Sequence, residues 1–177
     1  GGLGIWGAVA LGAIVAYWRL HLLQKGAFFS TFADAMVPGL LAAQAIGRWG
    51  NWFNVELFGE PLSSKYPWAL KIPPSMRPLH FESYSTFHPT FLYESLWCAA
   101  GIFLLLKISA LFSINRGGLF LLYIIYYCIG RFWIEGLRID PAHSIAGLRL
   151  NQIVSIFAVA ISSVALVKLQ MRKSGSR

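Results

Sequence analysis

An all-α bundle of membrane-spanning helices is the fold class the sequence predicts, on three observations. The 177 residues are 56% hydrophobic and 15% aromatic but only 12% charged, whereas a soluble domain carries roughly 25% charged residues. The apolar residues gather in runs near the length of about 20 residues that a helix needs to cross a bilayer. Segments rich in Arg, Lys, Gly and Pro separate those runs, leaving room for five crossings in a single transmembrane domain over residues 1–177. The chain opens Gly1-Gly2-Leu3, with neither Met nor a basic stretch before the first run. A signal peptide is therefore not expected, and the domain reads as incomplete at its N-terminus.

The first crossing, Gly1 to Trp18, has no charge and ends in Tyr17-Trp18-Arg19, aromatic rings at headgroup depth followed by a cation in water. The second, Phe28 to Ile46, carries Asp34 and Pro38-Gly39, which predicts a kinked or partly buried helix whose freed backbone groups are satisfied by neighbours. It runs into Gly47-Arg48-Trp49-Gly50-Asn51-Trp52-Phe53-Asn54-Val55-Glu56, where an arginine, two asparagines and a glutamate crowd into ten residues. Residues 57–87 hold Pro61, Pro67, Pro73, Pro74 and Pro78. They are too prolyl for a helix and too long for a bare connector, so they predict an ordered extracytoplasmic cap, with Tyr66, Trp68 and Phe81 available to rest on the membrane surface. His88-Pro89-Thr90 opens the third crossing, Phe91 to Leu106, with Pro89 in the first helical turn. A short basic turn, Lys107 to Gly118, leads to the fourth, Leu119 to Ile134, broken only by Arg131 and extended by Glu135 and Arg138. Ile139 to Arg149 is a loop, Leu150 to Val167 the fifth crossing, and residues 168–177 a flexible basic tail. The two cysteines, Cys98 and Cys128, lie inside apolar runs and read as buried small hydrophobes.

Alternating across five crossings places Arg19, Lys25, Lys107, Arg116, Lys168, Arg172, Lys173 and Arg177 on one face, with no acidic residue in those loops. The positive-inside rule makes that face cytoplasmic, together with the C-terminus. The net charge of +8 is then mostly topological, and no nucleic-acid partner is expected. The other face receives the mixed charges in three groups at the ends of three helices: Arg48, Asn51, Asn54 and Glu56; His88, Tyr93 and Glu94; and Arg131, Glu135 and Arg138.

The spacing of Arg131, Glu135 and Arg138 puts all three on one helical face. Because a charge at mid-bilayer costs about 2.5–3.5 kcal/mol, such residues usually turn toward the bundle interior or a wet cavity. A guanidinium presents a planar fork suited to phosphate oxygens, so Arg48 and Arg131, from separate helices, could clamp one anionic headgroup. The glycines flanking Arg48 would permit close backbone approach. Asn51 and Asn54 share a face and offer donors and acceptors to hydroxyls. The plainer alternatives are an Arg131–Glu135 pair with no ligand, asparagines bonded between helices, His88 as a helix cap and Tyr93 as an interfacial anchor.

AQAIGRWGNWFNVELFGEP from Ala43, HPTFLYE from His88 and GRFWIEGLR from Gly130 resemble, in order, the three signature blocks of the prolipoprotein diacylglyceryl transferase family. The resemblance covers nearly the whole chain; Asn151 stands where a glycine is common. It implies a multi-pass enzyme of the bacterial plasma membrane with seven crossings, two of them ahead of residue 1, and hence an inactive fragment if residues 1–177 stood alone. It implies transfer of the diacylglyceryl group of phosphatidylglycerol to the lipobox cysteine of a prolipoprotein, with release of glycerol phosphate and an active site on the extracytoplasmic side. Carried over by position, it implies phosphatidylglycerol binding by Arg48, Asn51, Asn54, Glu56, Gly59 and Arg131. Catalytic roles fall to Arg48, Arg131, Glu135, Arg138, His88 and Tyr93.

That chemistry suits the residues. A thiol with a free pKa of about 8.5 must become a thiolate to attack, which nearby arginines favour. A departing phosphate monoester can be stabilised by Arg48 and Arg131. Glu56 or Glu135 is expected to orient an arginine, and the general base is left open between His88, Tyr93 and a residue upstream. No cofactor or metal is expected, since His and acidic residues are too scattered for a ligand set. The partners expected are phosphatidylglycerol, the lipobox cysteine and membrane lipids. Two alternatives are a transporter for an anionic solute, which would usually show internal repeats, and a non-catalytic membrane subunit.

Overall fold

A computed structural model describes residues 5–22 and 29–174, without the side chains of residues 5–10, 13, 20 and 172–174. Its helices are α1 (Ile5–Leu22), α2 (Phe29–Gly47), α3 (Trp49–Phe53), α4 (Thr90–Leu111), α5 (Gly118–Leu137) and α6 (Leu150–Ser174). Among the described residues, four stretches are long and apolar enough to cross a membrane: α2 with α3, α4, α5, and α6 to Met171. α1 is an 18-residue helix over most of the first expected crossing. The protein is a polytopic helical membrane protein. Phe103, Leu111, Phe157 and Ile161 stand exposed on its outside, as side chains facing lipid do.

The core lies where α2, α4 and α5 meet. Val37, Leu41 and Ala45, spaced by four along α2, pack on Cys98 and Leu105 of α4 and on Leu119 and Tyr123 of α5. α2 continues through Pro38. Asp34, the other oddity of this run, has a partner on another helix. Its carboxylate accepts the backbone N–H of Gly117 at 2.6 Å and of Phe120 at 2.8 Å. Gly117, the N-cap of α5, is left-handed and has no side chain, so α2 supplies the cap that α5 lacks. At the same end of the bundle, Asn115 Nδ2 donates to the carbonyl of Leu169 on α6 at 2.6 Å.

α4 and α5 interlock through two rings and two glycines. The Trp97 ring lies where a Cβ on Gly130 would sit, and the Tyr126 ring where a Cβ on Gly101 would sit. The rings stack at 4.7 Å. Trp97 Nε1 donates to the Tyr126 carbonyl at 3.1 Å and the Tyr126 hydroxyl to the Trp97 carbonyl at 2.8 Å. α6 packs along α5, where Gln152 Nε2 donates to the Phe132 carbonyl at 3.2 Å.

Residues 57–87 fold over one end of the bundle around a small core of Phe58, Ile72 and Phe87. A two-residue ladder pairs β1 (Leu70–Lys71) with β2 (Thr86–Phe87), and Arg77 ties the segment by donating to the carbonyls of Ile72 and Glu82. Tyr66 and Trp68 are about half exposed. Phe81, expected on the surface with them, packs against the cap core instead. A second hairpin, β3 (Ser144–Ile145) with β4 (Leu148–Arg149), turns through Ala146 and Gly147, both at positive φ, as a two-residue hairpin loop requires.

Several boundaries differ from expectation: α1 runs on to Leu22, and α4 to Leu111 through the start of the expected basic turn. Pro89 is the N-cap of α4 rather than part of its first turn. Arg138 lies just past α5 with extended backbone. α6 runs on to Ser174, so most of the expected tail is helical, with only residues 175–177 outside the described chain. Gln, Met, Lys and Arg are good helix formers, and the cations suit a helix C-terminus.

Candidate active site

Beneath the cap, α2, α4 and α5 bring a set of charged groups together. The backbone stays helical from α2 through Arg48, which aims the guanidinium at Glu94, one turn into α4. Arg48 Nε pairs with Glu94 Oε2 and Arg48 Nη2 donates to the Tyr127 hydroxyl at 3.1 Å. The other oxygen of Glu94 takes Arg131 Nη1 at 3.0 Å. One buried carboxylate therefore bridges two guanidiniums from different helices. Arg131 Nη2 reaches Glu135 Oε2, one turn on, at 2.8 Å.

Glu135 is 1% exposed and is the hub of the second half. Its Oε2 also accepts Arg138 Nη1 at 3.4 Å, and its Oε1 accepts Arg149 Nε at 2.8 Å. Asp140 closes the set, with Oδ1 on Arg138 Nε at 2.7 Å and Oδ2 on Arg149 Nη2 at 2.9 Å. A buried carboxylate costs several kcal/mol unless paired and hydrogen-bonded; here each is. Four guanidiniums face three carboxylates, so the cluster keeps one positive charge in excess. Beside it an open crevice of about 10 Å³, the space of a single water, is lined by Glu94, Trp97, Cys98, Tyr127, Arg131 and Ile134.

Of the residues expected from sequence, Arg48, Arg131, Glu135 and Arg138 belong to this connected set. Arg131 and Glu135 share a helical face as spaced; Arg138 joins them from beyond the helix end. His88 and Tyr93 form a pair of their own, His88 Nδ1 to the Tyr93 hydroxyl at 3.0 Å, so the ring does not cap α4, which has no side-chain cap. Tyr93 packs on Trp133 at 6.2 Å. Asn51 is half-buried on α3. Asn54 and Glu56 are exposed and bonded to each other at 3.1 Å, so of the two glutamates expected to orient an arginine, Glu135 does so and Glu56 pairs with Asn54. Gly59 presents no side chain; a Cβ there would meet the Leu137 carbonyl at 2.8 Å and His88 Cβ at 2.9 Å. It binds the cap to the bundle, its N–H donating to the His88 carbonyl at 2.9 Å and its backbone bridging to Arg138. Gly47 and Gly50, expected to permit close approach beside Arg48, have open space around them.

Sequence reasoning passed over Tyr127, Asp140 and Arg149. Tyr127 was findable, since Tyr123, Tyr127, Arg131 and Glu135 recur every four residues on one stripe of α5. Arg149 had no local signal. It reaches Glu135 only because the β3–β4 hairpin turns the chain back over Asp140.

A family model described as prolipoprotein diacylglyceryl transferase matches residues 1–168. The chain belongs to the prolipoprotein diacylglyceryl transferase family. Among curated relatives it is 50% identical over 172 residues to the phosphatidylglycerol–prolipoprotein diacylglyceryl transferase of Cutibacterium acnes, covering 97% of this chain and 57% of that protein. It is 45% identical over 177 residues to enzyme 1 of that name from Streptomyces coelicolor, covering 100% of this chain and 49% of the relative. With the namesake from Corynebacterium diphtheriae it shares 46% over 180 residues, 96% of this chain and 62% of the relative. The chain thus spans about half to three-fifths of these relatives.

Proposed function

We propose that the protein transfers the diacylglyceryl group of phosphatidylglycerol to the lipobox cysteine of a prolipoprotein. The observation that carries this reading is the bridging of Arg48 and Arg131 by Glu94, which holds two guanidiniums from separate helices on one carboxylate. The relatives named above carry that activity in their names. In the reaction, the peptide thiolate attacks the glyceryl carbon bearing the phosphate, a C–S bond forms, the C–O bond breaks, and glycerol phosphate leaves with the electron pair. Charge grows on the phosphate oxygens as that bond breaks. Guanidiniums already fixed in a poorly hydrated site stabilise it without reorganising, and they favour the thiolate as well.

Glu135 and Arg138 act by holding Arg131. Asn51, Asn54 and Glu56 meet hydroxyls of the headgroup as it enters under the cap, and Gly59 serves by seating the cap. His88 is the candidate to take the thiol proton. In the tautomer whose Nδ1–H donates to the Tyr93 hydroxyl, its Nε2 carries the lone pair that accepts one. By the positive-inside rule the cluster faces the extracytoplasmic side of a bacterial plasma membrane and the C-terminus is cytoplasmic.

The test is reconstitution of the full-length protein in phosphatidylglycerol vesicles with a lipobox peptide, following glycerol phosphate release and the mass gained by the peptide. Arg48→Ala and Arg131→Ala are each expected to slow release by about 10²-fold or more. Release that survives either substitution overturns the reading.

A further inference from the structure

Arg149 lies outside the signature blocks, at the end of a hairpin, and makes four of the cluster's hydrogen bonds. Nε donates to Glu135 Oε1 at 2.8 Å and Nη2 to Asp140 Oδ2 at 2.9 Å. Nη1 donates to the carbonyls of Arg138 at 2.9 Å and Asp140 at 3.0 Å. We propose that Arg149 is a positioning residue that keeps Arg131 available to a lipid phosphate by holding one oxygen of Glu135 away from it; this rests on the reading of Arg131 given above.

The physical reason is a competition for Glu135. Arg131 and Arg138 share its Oε2, while Arg149 occupies Oε1. Without Arg149, Oε1 becomes an unpartnered acceptor on a side chain 1% exposed, a state costly enough to force a rotation. The nearest remedy is bidentate pairing with Arg131, the geometry in which a guanidinium and a carboxylate neutralise each other best. Arg131 would then present less positive field to an anion. A lysine at 149 keeps the charge but is a point donor, unable to span Glu135, Asp140 and two carbonyls as the planar fork does.

The experiment measures phosphatidylglycerol affinity of the protein in neutral detergent from lipid-dependent thermal shifts, alongside turnover with a lipobox peptide. Arg149→Met is expected to weaken lipid binding about tenfold while leaving KM for the peptide unchanged, and Arg149→Lys to fall between. In an Glu135→Gln background, Arg149→Met should add nothing further, because the charge whose share Arg149 sets is gone. An unchanged lipid affinity, an effect additive with Glu135→Gln, or a lipid and peptide loss that merely follows a fallen Tm overturns the proposal. If Arg149→Met does not accumulate, Arg149→Lys carries the same comparisons. Absence of turnover in the unsubstituted full-length protein would sink the transferase reading, while the binding measurement would still decide the role of Arg149.

Discussion

Glu94 is the residue on which the two arginines depend. Its two oxygens take one guanidinium each, so removing its charge leaves Arg48 and Arg131 close together with nothing between them. Glu94→Gln is expected to destabilise the lipid-free protein by about 3–5 kcal/mol, the usual cost of breaking a buried pair from one side. An anionic lipid should restore more stability to this variant than to the parent, since it supplies the missing charge to the folded state only. Unfolding in neutral detergent with and without phosphatidylglycerol checks both; equal lipid-induced gains would refute the second. The residue scale also separates glycines by reason. Gly59 is needed because the end of α5 and the His88–Thr90 stretch both close on it, whereas Gly47 and Gly50 border open space.

At the scale of elements, the site depends on how α4 and α5 are keyed together. Trp97 fills the space over Gly130, the residue before Arg131, and Tyr126 fills the space over Gly101. Gly130→Ala puts a methyl into the indole ring and is expected to cost about 1–3 kcal/mol, as overpacking does, with a loss of activity because Arg131 and Glu94 sit on the displaced helices. Thermal unfolding together with turnover measures this; a variant as stable and active as the parent would show that the ring gives way freely. The stripe of Tyr123, Tyr127, Arg131 and Glu135 was legible as a period of four. The exit of Arg138 from the helix was not, because a helix end depends on which carbonyls find partners, here the guanidinium of Arg149 on the Arg138 carbonyl.

For the whole molecule, charge is sorted by end. One end is knitted by Asp34 on the start of α5 and Asn115 on α6; the other holds the arginine–carboxylate cluster under the cap. The sidedness proposed from the basic loops predicts that Ser64→Cys, exposed in the cap, reacts with a membrane-impermeant maleimide added to intact cells. Ser113→Cys, exposed between α4 and α5, should react only after permeabilisation. Both are read in a background with Cys98 and Cys128 replaced by Ala, and the reverse pattern would invert the topology.

The sequence by itself determined the class of the molecule, because burying helices in lipid demands long apolar runs and forces charges to their ends, a pattern visible in one dimension. It also singled out Arg48, Arg131 and Glu135, because charges in or at the ends of such runs are costly to keep without a partner. Only the tertiary structure decided the partners. That Glu94 joins Arg48 to Arg131, that Asp34 caps a helix more than eighty residues away, and that Arg149 returns over Glu135 all depend on helix packing and a hairpin turn. Ion pairing acts through space, over distances that sequence separation does not record.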